Sequence, residues 1–209
     1  MKILCLDLST HCGYAVFEGE MGQKPQLLEY GTLHLNKSVH EFGPYPYNYY
    51  ETGRAVWNMI YGAAAPVCLI QKFVIEETNG GRNRYTQKLL ENIHTAVVQG
   101  LVSVCTPFEQ QIVYLDSSQW RSNLGLKMTK EQKKANAKLS KAKRQAVETG
   151  ISLDKKKIGV KGRLTPKHLS VDNANLQYGL KLKMKDNDAA DAINLGLAYF
   201  NNAVHCDGL

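Results

Sequence analysis

The sequence predicts a mixed α/β domain whose sheet starts as an antiparallel meander and finishes with parallel strands. Three observations carry this reading. Three short apolar runs stand at the front of the chain with only turns between them. Two more lie further on, separated by a helix-length segment, and the remaining apolar residues recur at helical spacing. At 209 residues, with 44% hydrophobic and 22% charged, the chain can bury one real core.

The first run, KILCLDL (2–8), is an apolar strand that meets an aspartate at Asp7. THCG makes a turn, and GYAVFE (13–18) reads as the second strand. After GEMGQKPQ, the run LLEYGTLHL (27–35) reads as the third. A loop rich in Pro, Gly and tyrosine follows and leads to a helix over roughly 50–64, with Val56, Met59 and Ile60 on one face. KFVIEE (72–77) is a fourth strand, apolar and then abruptly acidic. TNGGRNR is a loop, and 85–105 is a long helix with Leu89, Leu90, Ile93, Val97 and Leu101 at helical spacing. QIVYL (111–115) is a fifth strand. The fourth and fifth runs flank a helix, so they are expected to pair in parallel. Ser117 or Ser118 is the expected cap of the short helix that follows.

Thr129 and Gln132 fit a capping box that opens a lysine-rich helix running to about residue 150. Its lysines fall all round, so it is expected to have little core to dock on. Residues 151–164 read as a loop or small hairpin. TPKHLSVDNANLQYG reads as a helix capped by Thr165, with Pro166 at its first position and Gly179 as terminator. Last comes DNDAADAINLGLAYF (186–200), a helix with Asp186 or Asn187 as cap.

Composition narrows the function. The net charge of +7 is uneven: residues 127–185 hold 17 Lys and Arg against 4 Asp and Glu, while the rest hold 9 against 15. A solvated helical face would explain this blandly; a surface for a polyanion explains it better, because clustered cations gain by releasing counterions from a phosphate backbone. No apolar run approaches the ~20 residues of a membrane span. The apolar start is too short for a signal peptide. The five cysteines, Cys5, Cys12, Cys68, Cys105 and Cys206, are odd in number and lack CxxC spacing. They fit reduced thiols in a cytoplasmic protein.

The acidic residues sit where an open α/β sheet builds its site, at strand ends and at a helix N-terminus. Asp7 ends the first strand, Glu76 and Glu77 end the fourth, and Asp188 and Asp191 share a face at the start of the last helix. First-turn acids also suit a helix dipole, which is the plain reading of the last pair. Brought together at ~5 Å, each pair of carboxylates would repel by about 3 kcal/mol at an effective dielectric of ~20. Protonation or a bound cation must relieve that, and oxygen ligands with few histidines suit Mg²⁺ or Mn²⁺. Two such ions could clamp a phosphodiester. Side chains alternate along a strand, so only one of Glu76 and Glu77 can face such a site.

LCLDLSTHCGYAVF, FVIEE and DNDAADAINLGLAY, in this order and at these separations, resemble the RuvC-like Holliday junction resolvases of the ribonuclease H-like superfamily. The resemblance implies a five-stranded mixed sheet, three strands antiparallel and two parallel, flanked by helices. It implies that residues 1–209 form a single nuclease domain with a lysine-rich DNA-binding insertion at about 127–164. Asp7, Glu76, Asp188 and Asp191 fall on the family's catalytic metal ligands, with Glu76 favoured over Glu77 by the alignment. It further implies two Mg²⁺ ions, with Mn²⁺ as substitute. A homodimer would nick a four-way junction symmetrically to leave 5′-phosphate and 3′-hydroxyl ends. Arg82 and Arg84 lie in the glycine-bearing loop after the glutamate and are expected to contact DNA phosphates. Lys130, Lys133 and Lys134 are expected to do so from the basic helix, with Lys167 competing with Lys130 for the place beside the acids.

The departures are also informative. The aromatic that the family places three residues after the glutamate is Asn79 here, so a stacking role is vacant or has moved to Tyr85. The tail is about thirty residues longer than the resemblance implies, which leans toward compact phage-type members. Tyr45, Tyr47, Tyr49 and Tyr50 read as a packed aromatic loop, with base stacking as the alternative. Trp120 reads as core, and none of the six histidines is assigned to catalysis, although His11 lies near Asp7. Other functions remain open: a nuclease acting on RNA–DNA hybrids, flaps or transposon ends, or a DNA-binding module without activity. The first strand and turn also resemble the phosphate loop of actin-like sugar kinases. Those need two such domains and a second glycine-rich motif, which 209 residues cannot hold.

Overall fold

The structure, a computed structural model, describes residues 1–63, 67–78, 83–104, 112–149 and 163–201. Strands β1 (Lys2–Asp7), β2 (His11–Glu18) and β3 (Gln26–His34) form the antiparallel meander. Helix α1 (Tyr47–Ala63), strand β4 (Lys72–Glu76), helix α2 (Arg84–Val104) and strand β5 (Ile112–Leu115) follow. The sheet order is β3-β2-β1-β4-β5. β1 pairs antiparallel with β2 and parallel with β4, and β4 pairs parallel with β5. The three-plus-two sheet expected from the sequence is therefore present. Its parallel pairs carry the carboxyl ends of β1 and β4 to the same edge, Leu6 lying opposite Ile75.

Alternation along the strands builds two cores. Leu4, Leu6, Phe73 and Ile75 face α1 and α2 and pack with Val56, Ile60, Ile93 and Val97. Ile3, Cys5, Phe17 and Val74 face the opposite side. There they meet α3 (Ser117–Asn123), α5 (Pro166–Tyr178) and α6 (Asn187–Asn201) through Trp120, Val171, Ile193 and Phe200. α6 is buried on nearly every residue from Ala189 to Phe200, so it fills the centre of that layer. Period two carries the same logic to the strand ends: Asp7 continues the Ile3–Cys5 side and Glu76 the Val74 side, both toward α6. Glu77 falls on the other side and is exposed; its N–H bonds the Leu115 carbonyl at 2.9 Å.

Several local expectations are corrected. The cap of α3 is Asp116, one residue before the serines, accepting from the Ser118 and Gln119 N–H groups. Its carboxylate reaches two orphan donors where a serine hydroxyl reaches one. α1 starts at Tyr47, inside the tyrosine-rich segment, and Tyr45, Tyr47 and Tyr50 are each more than half exposed, not packed as a loop. The N-terminal start puts those rings on a helix end rather than against the sheet.

The basic helix α4 (Lys130–Thr149) opens with the expected capping box: Thr129 N–H donates to Gln132 Oε1 and Gln132 N–H to Thr129 Oγ1. It is not without a docking face. Gln132, Ala135, Asn136, Leu139 and Ala142 form a sheltered stripe at i, i+3, i+4 spacing, with Leu139 buried. Asn136 clasps the start of α5, donating to the Leu164 carbonyl and accepting the Leu164 N–H. One leucine and one bidentate amide thus anchor what the lysine pattern concealed. The second half of the expected insertion, 150–162, lies outside the described residues.

Candidate active site

Four carboxylates stand at the carboxyl edge of β1 and β4, near enough to influence one another electrostatically. Asp7 and Glu76 come from the strand ends, and Asp188 and Asp191 from the first turns of α6. The close approach of α6 is made possible by Gly13 in β2. A Cβ there would lie 1.9 Å from the Asp188 carbonyl oxygen. Any larger residue there would push the start of α6 outward.

The environment of each acid follows from burial and charge. Burial first, then Glu76, Asp191 and Asp188, hold the Asp7 carboxyl well above the ordinary carboxylate range, opposed by Lys167. Burial also pushes Glu76 up to about 7; Arg121 opposes this and Asp191 adds to it. Asp191, 2% exposed, is raised by burial against the pull of Arg121 and Ser170. Asp7, Glu76 and Asp191 thus lie within electrostatic reach of one another, each raising its neighbours' affinity for a proton.

Two cations answer the acids. Lys167, at the start of α5, pairs with Asp188 Oδ1 at 3.2 Å and with Asn187 Oδ1. Arg121, on α3, bridges two elements: its guanidinium lies 3.1 Å from Asp191 Oδ2 and 3.7 Å from Glu76 Oε1. It stacks on Trp120, with Cζ 4.3 Å from the ring centroid. Arg121 was not among the residues singled out from the sequence. The available signal was its place as the sole basic residue of the short helix leaving β5, beside β4.

The other sequence candidates are placed as follows. Lys167 reaches the acids, whereas Lys130, Lys133 and Lys134 are exposed on α4. Arg84 is exposed at the first residue of α2. Arg82 and Asn79 lie outside the described residues. Tyr85 is 73% exposed on α2, three residues before Lys88, whose ammonium contacts Tyr45 Oη. Trp120 is fully buried, as expected of core. His11 pairs with His34 across β2 and β3, ring centroids 4.9 Å apart.

A divalent ion suits this donor set. Glu76 Oε2 and Asp191 Oδ1 are buried without a well-formed hydrogen bond, while Arg121 faces the other oxygen of each acid. The Trp120 indole beside Glu76 and the Ser170 hydroxyl beside Asp191 favour the charged carboxylates, which are hard oxygen donors. Among the described residues no three His, Cys, Asp or Glu side chains are drawn together at metal-holding distance. Arg121 stands between two of them instead.

A pH test follows. The raised Glu76 pKa means that the folded protein binds a proton more tightly than the unfolded chain. Its contribution to stability is therefore full below about 4.5 and lost as pH rises through about 7. Thermal melts in EDTA are expected to show this decline, and Glu76→Gln to flatten it.

Comparison with known proteins points the same way in fold. No family model matches the sequence, and no curated protein does. RuvC of Thermus thermophilus matches in structure with a TM-score of 0.53 at 14% identity, over 95% of this chain and 92% of that one. T. thermophilus RuvC in complex with a Holliday junction substrate gives 0.47 at 14% identity, over 95% and 91%. The yeast mitochondrial Holliday junction resolvase Ydc2 gives 0.49 at 10%, over 95% and 77%. With its three-plus-two sheet, and four acids at the sheet edge where β1, β4 and α6 meet, this chain has the ribonuclease H-like fold in the form seen in RuvC.

Proposed function

We propose that this chain is a Mg²⁺-dependent endonuclease that resolves four-way DNA junctions. The observation that carries the reading is that Asp7, Glu76, Asp188 and Asp191, from three elements, stand within electrostatic reach of one another at one sheet edge, with buried Glu76 and Asp191 oxygens that lack a well-formed hydrogen bond. A fold gains nothing in stability from such a cluster. Asp7, Glu76, Asp188 and Asp191 would hold two Mg²⁺ ions, with Mn²⁺ as substitute. Those ions, when bound, supply water activation and charge at the leaving oxygen.

The chain's own residues do the rest. The carboxylates would hold the ions at the carboxyl edge of β1 and β4. Lys167 stands at the rim, 53% exposed, free to exchange Asp188 for a phosphate oxygen. Arg84 and the outer face of α4, with Lys130, Lys133 and Lys134, grip backbone phosphates away from the cut. The insertion at 127–164 is thus a DNA-binding arm attached to one nuclease domain. Two symmetric nicks need two centres, so the working species is a homodimer. Its products carry 5′-phosphate and 3′-hydroxyl ends, and it acts in the cytoplasm of a bacterial or phage-infected cell.

The test is cleavage of a synthetic four-way junction beside duplex, flap and RNA–DNA hybrid substrates, with Mg²⁺ and with EDTA. Paired nicks at the junction, dependent on Mg²⁺, support the reading. Preferential cutting of hybrids or flaps would replace the substrate. No cutting of any substrate, with binding intact, would leave a binding module. Separately, changing Lys130, Lys133 and Lys134 to Gln is expected to flatten the dependence of log affinity on log salt, by about 0.9 per lost phosphate contact. An unchanged slope in a fluorescence anisotropy titration would remove the lysine arm from the DNA.

A further inference from the structure

Arg121 is placed where a divalent ion would be most useful. Among the described residues it is the one guanidinium that touches carboxylates from both the sheet and α6, and it meets one oxygen of each. The remaining oxygens, Glu76 Oε2 and Asp191 Oδ1, are buried without a well-formed hydrogen bond, with the neutral donors Trp120 and Ser170 beside these acids. A positive charge between Glu76 and Asp191 offsets a repulsion that would otherwise drive β4 and the start of α6 apart.

The guanidinium is also poorly anchored there. Its contact with Glu76, at 3.7 Å, is an ion pair too long for a hydrogen bond, and its Nε is buried without a partner. One hydrogen bond, to Asp191, and the face of Trp120 hold it. A group held mainly by charge is replaceable by a stronger charge at the same place. Arg121 and a divalent ion cannot share the space between Glu76 and Asp191, since like charges at that separation repel strongly.

We propose that Arg121 is a built-in counter-ion: in the free protein it occupies the place between Glu76 and Asp191 that divalent ions take, and metal loading displaces it. It is a positioning residue, keeping the two acids together before the ions arrive and setting the concentration of metal needed to replace it. Lys167 lacks this role, because it holds only Asp188 among the acids and is half exposed. The inference rests on the metal-dependent reading above.

The experiment is Mn²⁺ binding to the free protein at pH 8, with unbound ion counted by electron paramagnetic resonance and no DNA present. Arg121→Gln is expected to bind Mn²⁺ about tenfold more tightly than the unaltered protein, about 1.4 kcal/mol. Its metal-free melting temperature is expected to fall and to recover with Mn²⁺ by more than the unaltered protein gains. Arg121→Lys keeps the charge but cannot span both acids, so its affinity is expected to lie between. Equal or weaker Mn²⁺ binding in Arg121→Gln overturns the proposal while leaving the metal-dependent reading in place. If Arg121→Gln does not fold, an Arg121→Lys affinity equal to or below that of the unaltered protein overturns it in the same way. Absence of Mn²⁺ binding by the unaltered protein overturns both.

Discussion

Replacing Glu76 by Gln is expected to reduce junction cleavage about a thousandfold or more, with junction binding in Ca²⁺ or EDTA unchanged. The change removes one negative charge and leaves a neutral amide of the same shape at the end of β4. Holding a divalent ion against a phosphodiester depends on that charge, and losing several kcal/mol of it at the transition state corresponds to this factor. Asp191→Asn is expected to do the same to the rate. The two variants should differ in stability. Glu76 is raised by burial and by a neighbouring acid, and Arg121 is 3.7 Å away, so its neutral form is tolerated in the free protein. Among the described residues, Asp191 accepts the one hydrogen bond that Arg121 makes to the acids, so Asn there leaves a partly buried guanidinium under-compensated. The melting temperature is therefore expected to hold in Glu76→Gln and to fall in Asp191→Asn. Loss of binding together with cleavage in Glu76→Gln would make the acid structural and remove the catalytic assignment.

Gly13→Ala is expected to slow cleavage about a hundredfold and to destabilise the fold by about 1–3 kcal/mol. The added Cβ would meet three backbone atoms: the Asp188 carbonyl oxygen at 1.9 Å, its carbon at 2.3 Å and the Ala189 nitrogen at 3.0 Å. Backbone cannot turn aside as a side chain does, so the start of α6 must retreat by more than an ångström. Asp188 and Asp191 would move with it, away from Asp7. The glycine is needed for space rather than for conformation, since its φ is not positive. Gly62→Ala makes the control: a Cβ there meets nothing within 4 Å on α1, and the rate should not change. Single-turnover cleavage and urea unfolding of the two variants decide the matter. A Gly13→Ala protein with the unaltered rate would mean that the placement of α6 does not matter to the reaction.

The sheet and its helices were legible because their signals are local. Period-two runs ending in acids, capping residues such as Thr129 and Thr165, and the αL glycine at Gly179 each act within a few residues of themselves. The acids at strand ends and at the head of the last helix were legible for the same reason, since edge and N-terminus are positions within an element. Three features were not. Glu76 and Glu77 are equally acidic neighbours; alternation says only that one of them faces the site, and apart from the family resemblance it is the side on which α6 packs that picks Glu76. The lysine pattern of α4 hid a stripe whose partner, the start of α5, is 28 residues away along the chain. Arg121 meets Asp191 across 70 residues. SSQWRSN shows its arginine as the sole basic residue of the helix leaving β5, but not that it faces acids rather than solvent.

What the amino-acid order determined alone was the set of elements and the chemical character of their ends, because hydrogen bonding and side-chain alternation act over a few residues. What the tertiary structure decided was which charges face one another: Arg121 between Glu76 and Asp191, Lys167 rather than Lys130 beside Asp188, and α6 seated on Gly13. Charges couple through space according to distance and burial, and both are properties of packed elements that no single stretch of chain possesses.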